Sequence, residues 1–248
     1  MPAFLLRLRV EEGAPLARQS TASNGKINIA IDGPAGAGKS TVARRVAEAL
    51  SYVYVDTGAM YRAATWYLMR HKISPENVRE VLQHVPKMVI ELKPDPSGQK
   101  VICNGVDVTV EIRSLDVTGN VSRYASIAGL REHLTSGQRR MAERKGVVMD
   151  GRDIGTTVLP DAELKVFMTA SVKERALRRF KELREAADIT LEQLERDIAA
   201  RDKLDEEREV SPLRRSEDAI MLDTTHMEID EVVDTIVSYC KTAIGWGD

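Results

Sequence analysis

Cysteine is scarce in this chain: two residues among 248, Cys103 and Cys240, far apart and in no metal-ligand spacing. That excludes a disulfide framework and a cysteine-based zinc site. Both lie in apolar-patterned segments, which predicts reduced core thiols and a cytoplasmic location. No apolar run approaches membrane-spanning length, so no membrane partner is expected. Neither charge sign dominates, with a formal net charge of −2, and aromatic residues make up 4% of the chain. The chain therefore lacks both the basic field and the stacking platforms of a nucleic-acid binder. The guanine-reading N-K-x-D string of GTPases is missing. Asp116-Val117-Thr118-Gly119 spells D-x-x-G, but no strand precedes it. Internal repeats and low-complexity segments are also missing. At the start, Phe4-Leu5-Leu6 is too short for a secretory apolar region, and Glu11 and Glu12 argue against a transit peptide. Residues 1–25 are expected to form a flexible extension, with the folded domain spanning 26–248.

What is present begins with Gly33-Pro34-Ala35-Gly36-Ala37-Gly38-Lys39-Ser40-Thr41, a G-x-x-x-x-G-K-[ST] string. Ile27 to Ile31 before it alternate like a strand, and Val42, Val46 and Leu50 after it share one helical face. Strand, glycine-rich turn and helix are the context a phosphate loop requires. Glycines let successive N–H groups converge on a polyphosphate, and the helix N-terminus adds positive potential. Lys39 is expected at the β- and γ-phosphates, and the Ser40 hydroxyl at Mg²⁺ carried by the nucleotide. A glycine-rich turn with a surface lysine is the plainer alternative, and the flanking elements argue against it.

The rest of the chain alternates strand and helix. Tyr52–Val55, Gly146–Met149, Leu164–Met168 and Ala219–Leu222 read as further short apolar strands. With the first they predict an α/β fold with a five-stranded parallel sheet covered on both faces. Ser74-Pro75 predicts an N-cap and first turn of a short helix to about His84. Between 86 and 112 the character changes. Lys87–Leu92, Lys100–Cys103 and Val106–Val110, with turns at Pro94–Gly98 and Asn104-Gly105, predict a small antiparallel insert. A helical pattern runs from Leu115 to Arg144. Ser171–Glu174 and Thr190–Gln193 read as capping boxes, and Ile229, Val232, Val233, Ile236, Val237 and Cys240 as one face of a final helix. Asp32, Asp56-Thr57, Asp150 to Asp153 and Asp223 all follow strand carboxyl ends, the rim on which such sheets bind ligands.

A phosphate loop defines a bound triphosphate and leaves its fate open. A kinase of a small acceptor needs cations around the phosphoryl group in flight and a cover that excludes water. Arg62 follows the second strand and Arg152 the third, while Arg175, Arg178, Arg179, Arg201 and Arg208 fill 171–217. The plain reading of that stretch is a solvated helical face with pairs such as Glu174–Arg178. Taken together, the arginines favour a lid over phosphates.

These residues resemble bacterial cytidylate kinases, members of the nucleoside monophosphate kinases. The resemblance rests on the phosphate loop, on Asp56-Thr57-Gly58-Ala59-Met60-Tyr61-Arg62, and on Asp150-Gly151-Arg152-Asp153-Ile154-Gly155-Thr156. It also rests on Arg201-Asp202 through Arg208 with Val210-Ser211-Pro212-Leu213. It implies ATP-dependent phosphorylation of CMP and dCMP with Mg²⁺, by a cytoplasmic monomer. By position it places Thr57 and Arg62 at the acceptor nucleotide, and Ser122, Arg131 and Asp153 at cytosine. Arg152, Arg201 and Arg208 would hold phosphates, Asp205 the ribose, and Arg179 would belong to the lid. Lys39, Arg152, Arg179 and Arg201 would form the catalytic set. The implied organisation is a core of 26–60, 145–170 and 218–248, an acceptor-binding subdomain of 61–144, and a lid of 171–217. Many members carry a small residue at the Ser40 position and serine at Thr57; a hydroxyl is kept at both sites here. Residues 1–25 match nothing in the pattern. The base assignment has a physical logic. An ionised Asp153 accepts from the cytosine amine, whereas uracil presents a carbonyl there. The mismatch costs on the order of 1–3 kcal/mol.

Overall fold

A computed structural model describes residues 25–95, 98–183 and 189–245. The expected N-terminal extension, apart from Gly25, and Pro96-Ser97 of the insert turn lie outside the described residues. The chain divides into two compact units, one of Gly25–Val55 with 145–245, the other Asp56–Arg144.

The first unit holds a five-stranded parallel sheet. Its strands are β1 (Ile29–Asp32), β2 (Val53–Asp56), β6 (Val147–Gly151), β7 (Leu164–Thr169) and β8 (Ile220–Asp223), in the order β2-β6-β1-β7-β8. In register, Ile29 lies beside Val148 and Leu164, and Asp32 beside Gly151 and Phe167. Ile29, Ala30 and Ile31 are wholly buried, as a central strand covered on both faces requires. Helices α1 (Lys39–Leu50) and α8 (Ile229–Ala243) pack together, with Val42, Val46, Val232, Ile236 and Cys240 joining one core cluster with the strands. Ile229 departs from the expected apolar face: it is exposed at the first turn. Helix α8 carries a full capping box from Glu228 and Glu231, whereas the two read from the sequence are half formed. Ser171 Oγ accepts from Glu174 N–H, opening α6 (Val172–Leu183). Thr190 Oγ1 accepts from Gln193 N–H, opening α7 (Leu191–Glu207). The Gln193 side chain turns instead to Asp197 and Arg196.

The second unit holds α2 (Thr57–Arg70), α3 (Val78–His84), α4 (Leu115–Ala125) and α5 (Ala128–Ala142). Its antiparallel sheet is β3 (Ile90–Asp95), β4 (Gly98–Cys103) and β5 (Val106–Asp107). Ile90, Leu92 and Val101 face its core with Met60, Leu68 and Leu134. Four local readings are corrected. Asn77, not Ser74, caps α3, its side chain accepting from Glu80 N–H, while Ser74 to Asn77 form a turn. The 3-10 turn Val85–Lys87, which contains Pro86, delays β3 to Ile90. The third strand stops at Asp107 because its carboxylate accepts from both N–H and Oγ1 of Thr109. The single helical run splits at Ser126-Ile127, where Ile127 is extended and Ser126 Oγ donates to Arg123 O. The Asp116–Gly119 string lies within α4.

Both cysteines are free and buried, and burial pushes the Cys103 thiol up to about 11. No described helix is long and apolar enough to cross a membrane.

Candidate active site

The phosphate loop leaves β1 through Gly33, whose φ is 147°. A Cβ there would stand 2.0 Å from the Met168 carbonyl oxygen of β7, so glycine is required by contact as well as conformation. Gly33→Ala is expected to cost about 4 kcal/mol or more, read as a large fall in thermal midpoint. An unchanged midpoint would refute the clash. Gly36 and Gly38 also take positive φ, and Gly38 precedes the first turn of α1.

Lys39 is buried and its Nζ donates to Pro34 O across the loop at 2.7 Å. Burial and then the Arg152 cation push it well below the ordinary lysine range; Asp150 and Asp32 oppose this and Arg201 adds to it. Ser40 Oγ donates to Asp150 Oδ2 at 2.8 Å, and Tyr54 OH to Asp150 Oδ1 at 3.0 Å. Asp150, at the end of β6, is thus fixed beside the loop hydroxyl. Hard oxygen donors of this kind suit Mg²⁺.

Past β6, Asp150-Gly151-Arg152-Asp153 runs into a π-type turn, Ile154–Val158, a form common at functional sites. Arg152 Nε donates to Asp205 Oδ2 at 3.0 Å. Arg208 Nη2 reaches Asp153 Oδ1 at 3.4 Å and its Nη1 lies 3.9 Å from Asp205 Oδ1. A network from β6 and the end of α7 therefore joins Arg152, Asp205, Arg208 and Asp153, with Asp153 and Asp205 buried. Burial works to raise Asp205, but Arg152, Arg201 and Arg208 outweigh it and hold its carboxyl below the usual range. The Val210–Leu213 string closes this corner: Arg208 Nε donates to Ser211 O, and Leu213 N–H to Asp205 O.

Arg175 ties α6 to the loop. Its Nη1 donates to Ala35 O at 2.8 Å, its Nε to Ala170 O at 2.9 Å, and its Nη2 pairs with Asp202 of α7 at 2.7 Å. Arg178 keeps its expected Glu174 partner and also donates to Thr224 O. A Cβ on Gly38 would lie 3.9 Å from Arg178 Nη1. Arg179 and Arg201 are half-buried on α6 and α7. Asp223 accepts from Thr225 and shapes a turn.

In the second unit, Asp56 caps α2 through Ala59 N–H at 2.7 Å, and its other oxygen accepts from Arg62 Nη2 at 3.1 Å. A Cβ at Gly58 would crowd both groups, at 3.1 and 3.2 Å. The D-T-G-x-x-Y-R string is thus a self-contained device that aims Arg62, with Thr57 buried at its base. Arg131 is buried on α5, its guanidinium 5.2 Å from the centre of the Tyr61 ring and its Nη1 donating to Ala125 O. Ser122 is half-buried on α4.

Sequence pattern places Asp150, Asp56 and Asp32 on the ligand-binding rim but assigns none of them a role of its own. Each ends a strand, and that position was the available signal. The partners of Asp150 and Asp32 lie more than 90 residues away.

A parallel sheet with a phosphate loop, a strand-end aspartate on the loop hydroxyl and clustered arginines defines a P-loop phosphotransferase. The family model for cytidylate kinase matches residues 29–242. The chain is 54% identical over 213 residues to a cytidylate kinase of Anoxybacillus flavithermus, covering 86% of this chain and 95% of that one. It is 54% identical over 214 residues to one of Bacillus cereus, with the same coverages. Among solved structures, a shikimate kinase from Acinetobacter baumannii superposes with a TM-score of 0.44 at 17% identity, covering 89% of this chain and 94% of that one. The chain belongs to the cytidylate kinase family.

Proposed function

We propose that the protein transfers the γ-phosphoryl group of ATP to CMP and dCMP, giving CDP or dCDP and ADP. The observation that carries this reading is the Arg152–Asp205–Arg208–Asp153 network, in the same unit as the phosphate loop. The loop backbone, residues 33–41, holds the triphosphate, with Lys39 at the β- and γ-phosphates. Their negative charge favours the protonated form that burial and Arg152 disfavour. Ser40 and Asp150 would hold nucleotide-borne Mg²⁺, which neutralises charge on the triphosphate when bound.

Arg62 and Thr57 hold the acceptor phosphate and sugar end. Arg131, Ser122 and Asp153 read cytosine, Asp205 takes the ribose, and Arg208 holds phosphate. Arg152, Arg201 and Arg179 surround the phosphoryl group as an acceptor phosphate oxygen displaces ADP in line. Cations fixed before reaction are the main source of rate in such transfers. Residues 61–144 serve as the acceptor subdomain and 171–217 as a lid that excludes water. The protein works as a cytoplasmic monomer.

A panel of nucleoside monophosphates in an ADP-release assay tests the reading. CMP and dCMP are expected to turn over at least about tenfold faster than UMP, AMP or dTMP. Preference for UMP, AMP or dTMP would refute it.

A further inference from the structure

Asp32 ends β1 one residue before the phosphate loop, yet its side chain serves another segment. Oδ1 accepts from Ile154 N–H at 2.8 Å and Oδ2 from Gly155 N–H at 2.7 Å. These two groups open the π-type turn immediately after Asp153. The carboxylate is buried. Gly155 leaves it room: a Cβ there would lie 3.4 Å from Asp32 Oδ2 and 3.2 Å from the Lys165 side chain. Among charged groups, Asp153 raises the Asp32 pKa and Lys39 lowers it. Lys165 stands across Gly155 and is paired with Asp218 at 2.7 Å. Two charge-assisted bonds to consecutive amides make a rigid clamp.

We propose that Asp32 is a positioning residue that locks Arg152 and Asp153 relative to the phosphate loop, so that acceptor recognition is built on the donor loop's own strand. The inference deepens the proposed kinase reading and rests on it. The clamp holds the backbone on which the Asp153 side chain is mounted. It does so from a residue that is contiguous with Gly33, so the two sites share one rigid strand end.

Burial raises the Asp32 carboxyl to about 6, with Asp153 adding to the rise and the two amide bonds and Lys39 opposing it. Protonation weakens acceptance at one oxygen, but burial outweighs the two amide bonds, so the closed turn binds the proton more tightly than an opened one and is stabilised as pH falls through about 6.

Asp32→Asn keeps the shape but turns an amide N–H₂ toward one N–H donor. It is expected to raise the KM for CMP about tenfold, to lower the CMP-to-UMP selectivity, and to leave the KM for ATP within about twofold. A KM for ATP that moves in step with that for CMP, or no change in either, would overturn the proposal. Amide exchange of Ile154 and Gly155 in the wild-type protein tests the clamp without a variant. After correction for intrinsic rates, protection is expected to rise as pH falls below about 6, because the closed turn binds the proton more tightly than the opened one, and flat protection would overturn it. If wild type prefers another monophosphate, the kinase reading fails while the clamp is judged by the KM for that acceptor.

Discussion

Lys39→Ala is expected to lower kcat by about 10³-fold while leaving CMP affinity within about threefold. Lys39 belongs to the loop, bonded to Pro34 O, and its charged neighbours are Asp150, Asp32, Arg152 and Arg201. Its removal deletes a cation at the donor phosphates and also relieves repulsion on Arg152. The arginine that the proposal sets at the acceptor phosphate, Arg62, has its own partner in Asp56. Steady-state ADP release gives the rate and titration calorimetry with CMP gives the affinity. A loss of CMP affinity as large as the loss of rate would refute the separation of donor and acceptor roles.

Asp153→Ala is expected to lower kcat/KM for CMP by about 10²-fold and to change the residual value for UMP far less. With cytosine the carboxylate accepts from the exocyclic amine; with uracil it faces a carbonyl, so its removal costs little there. The Asp153–Arg208 pair complicates the variant only modestly. Arg208 retains Asp205 at 3.9 Å and the Ser211 carbonyl. Parallel kcat/KM measurements with both monophosphates decide the matter. Equal losses would reduce Asp153 to a partner of Arg208.

The parallel sheet was legible because each strand is a short apolar run ending in a polar turn, and each lies between helical patterns. The phosphate loop was legible because its signal is local: nine residues that run from the end of a strand into the first turn of a helix. The D-T-G-x-x-Y-R string marked the start of α2, but not the reason for its aspartate, which caps the helix and aims Arg62 at once. Contacts between distant segments were beyond reach. Ser40 meets Asp150 across 110 positions, and Asp32 meets Gly155 across 123. Sequence pattern gives the strand ends but not which ends are neighbours. The order β6-β1-β7 brings these groups together. Local errors had local causes. Asn77 outcompetes Ser74 as a cap, and the Asp107 carboxylate bonds its own strand's continuation into a turn.

The two buried thiols have a practical consequence for watching this molecule work. Cys103 and Cys240 are the chain's full complement of cysteine, and both are shut inside. A maleimide dye offered to the native protein therefore meets no accessible sulfur. A single cysteine introduced at an exposed position such as Lys203 on α7, with a second on α1 at Glu48, would give a clean donor–acceptor pair for single-molecule distance measurements without first removing the natural thiols.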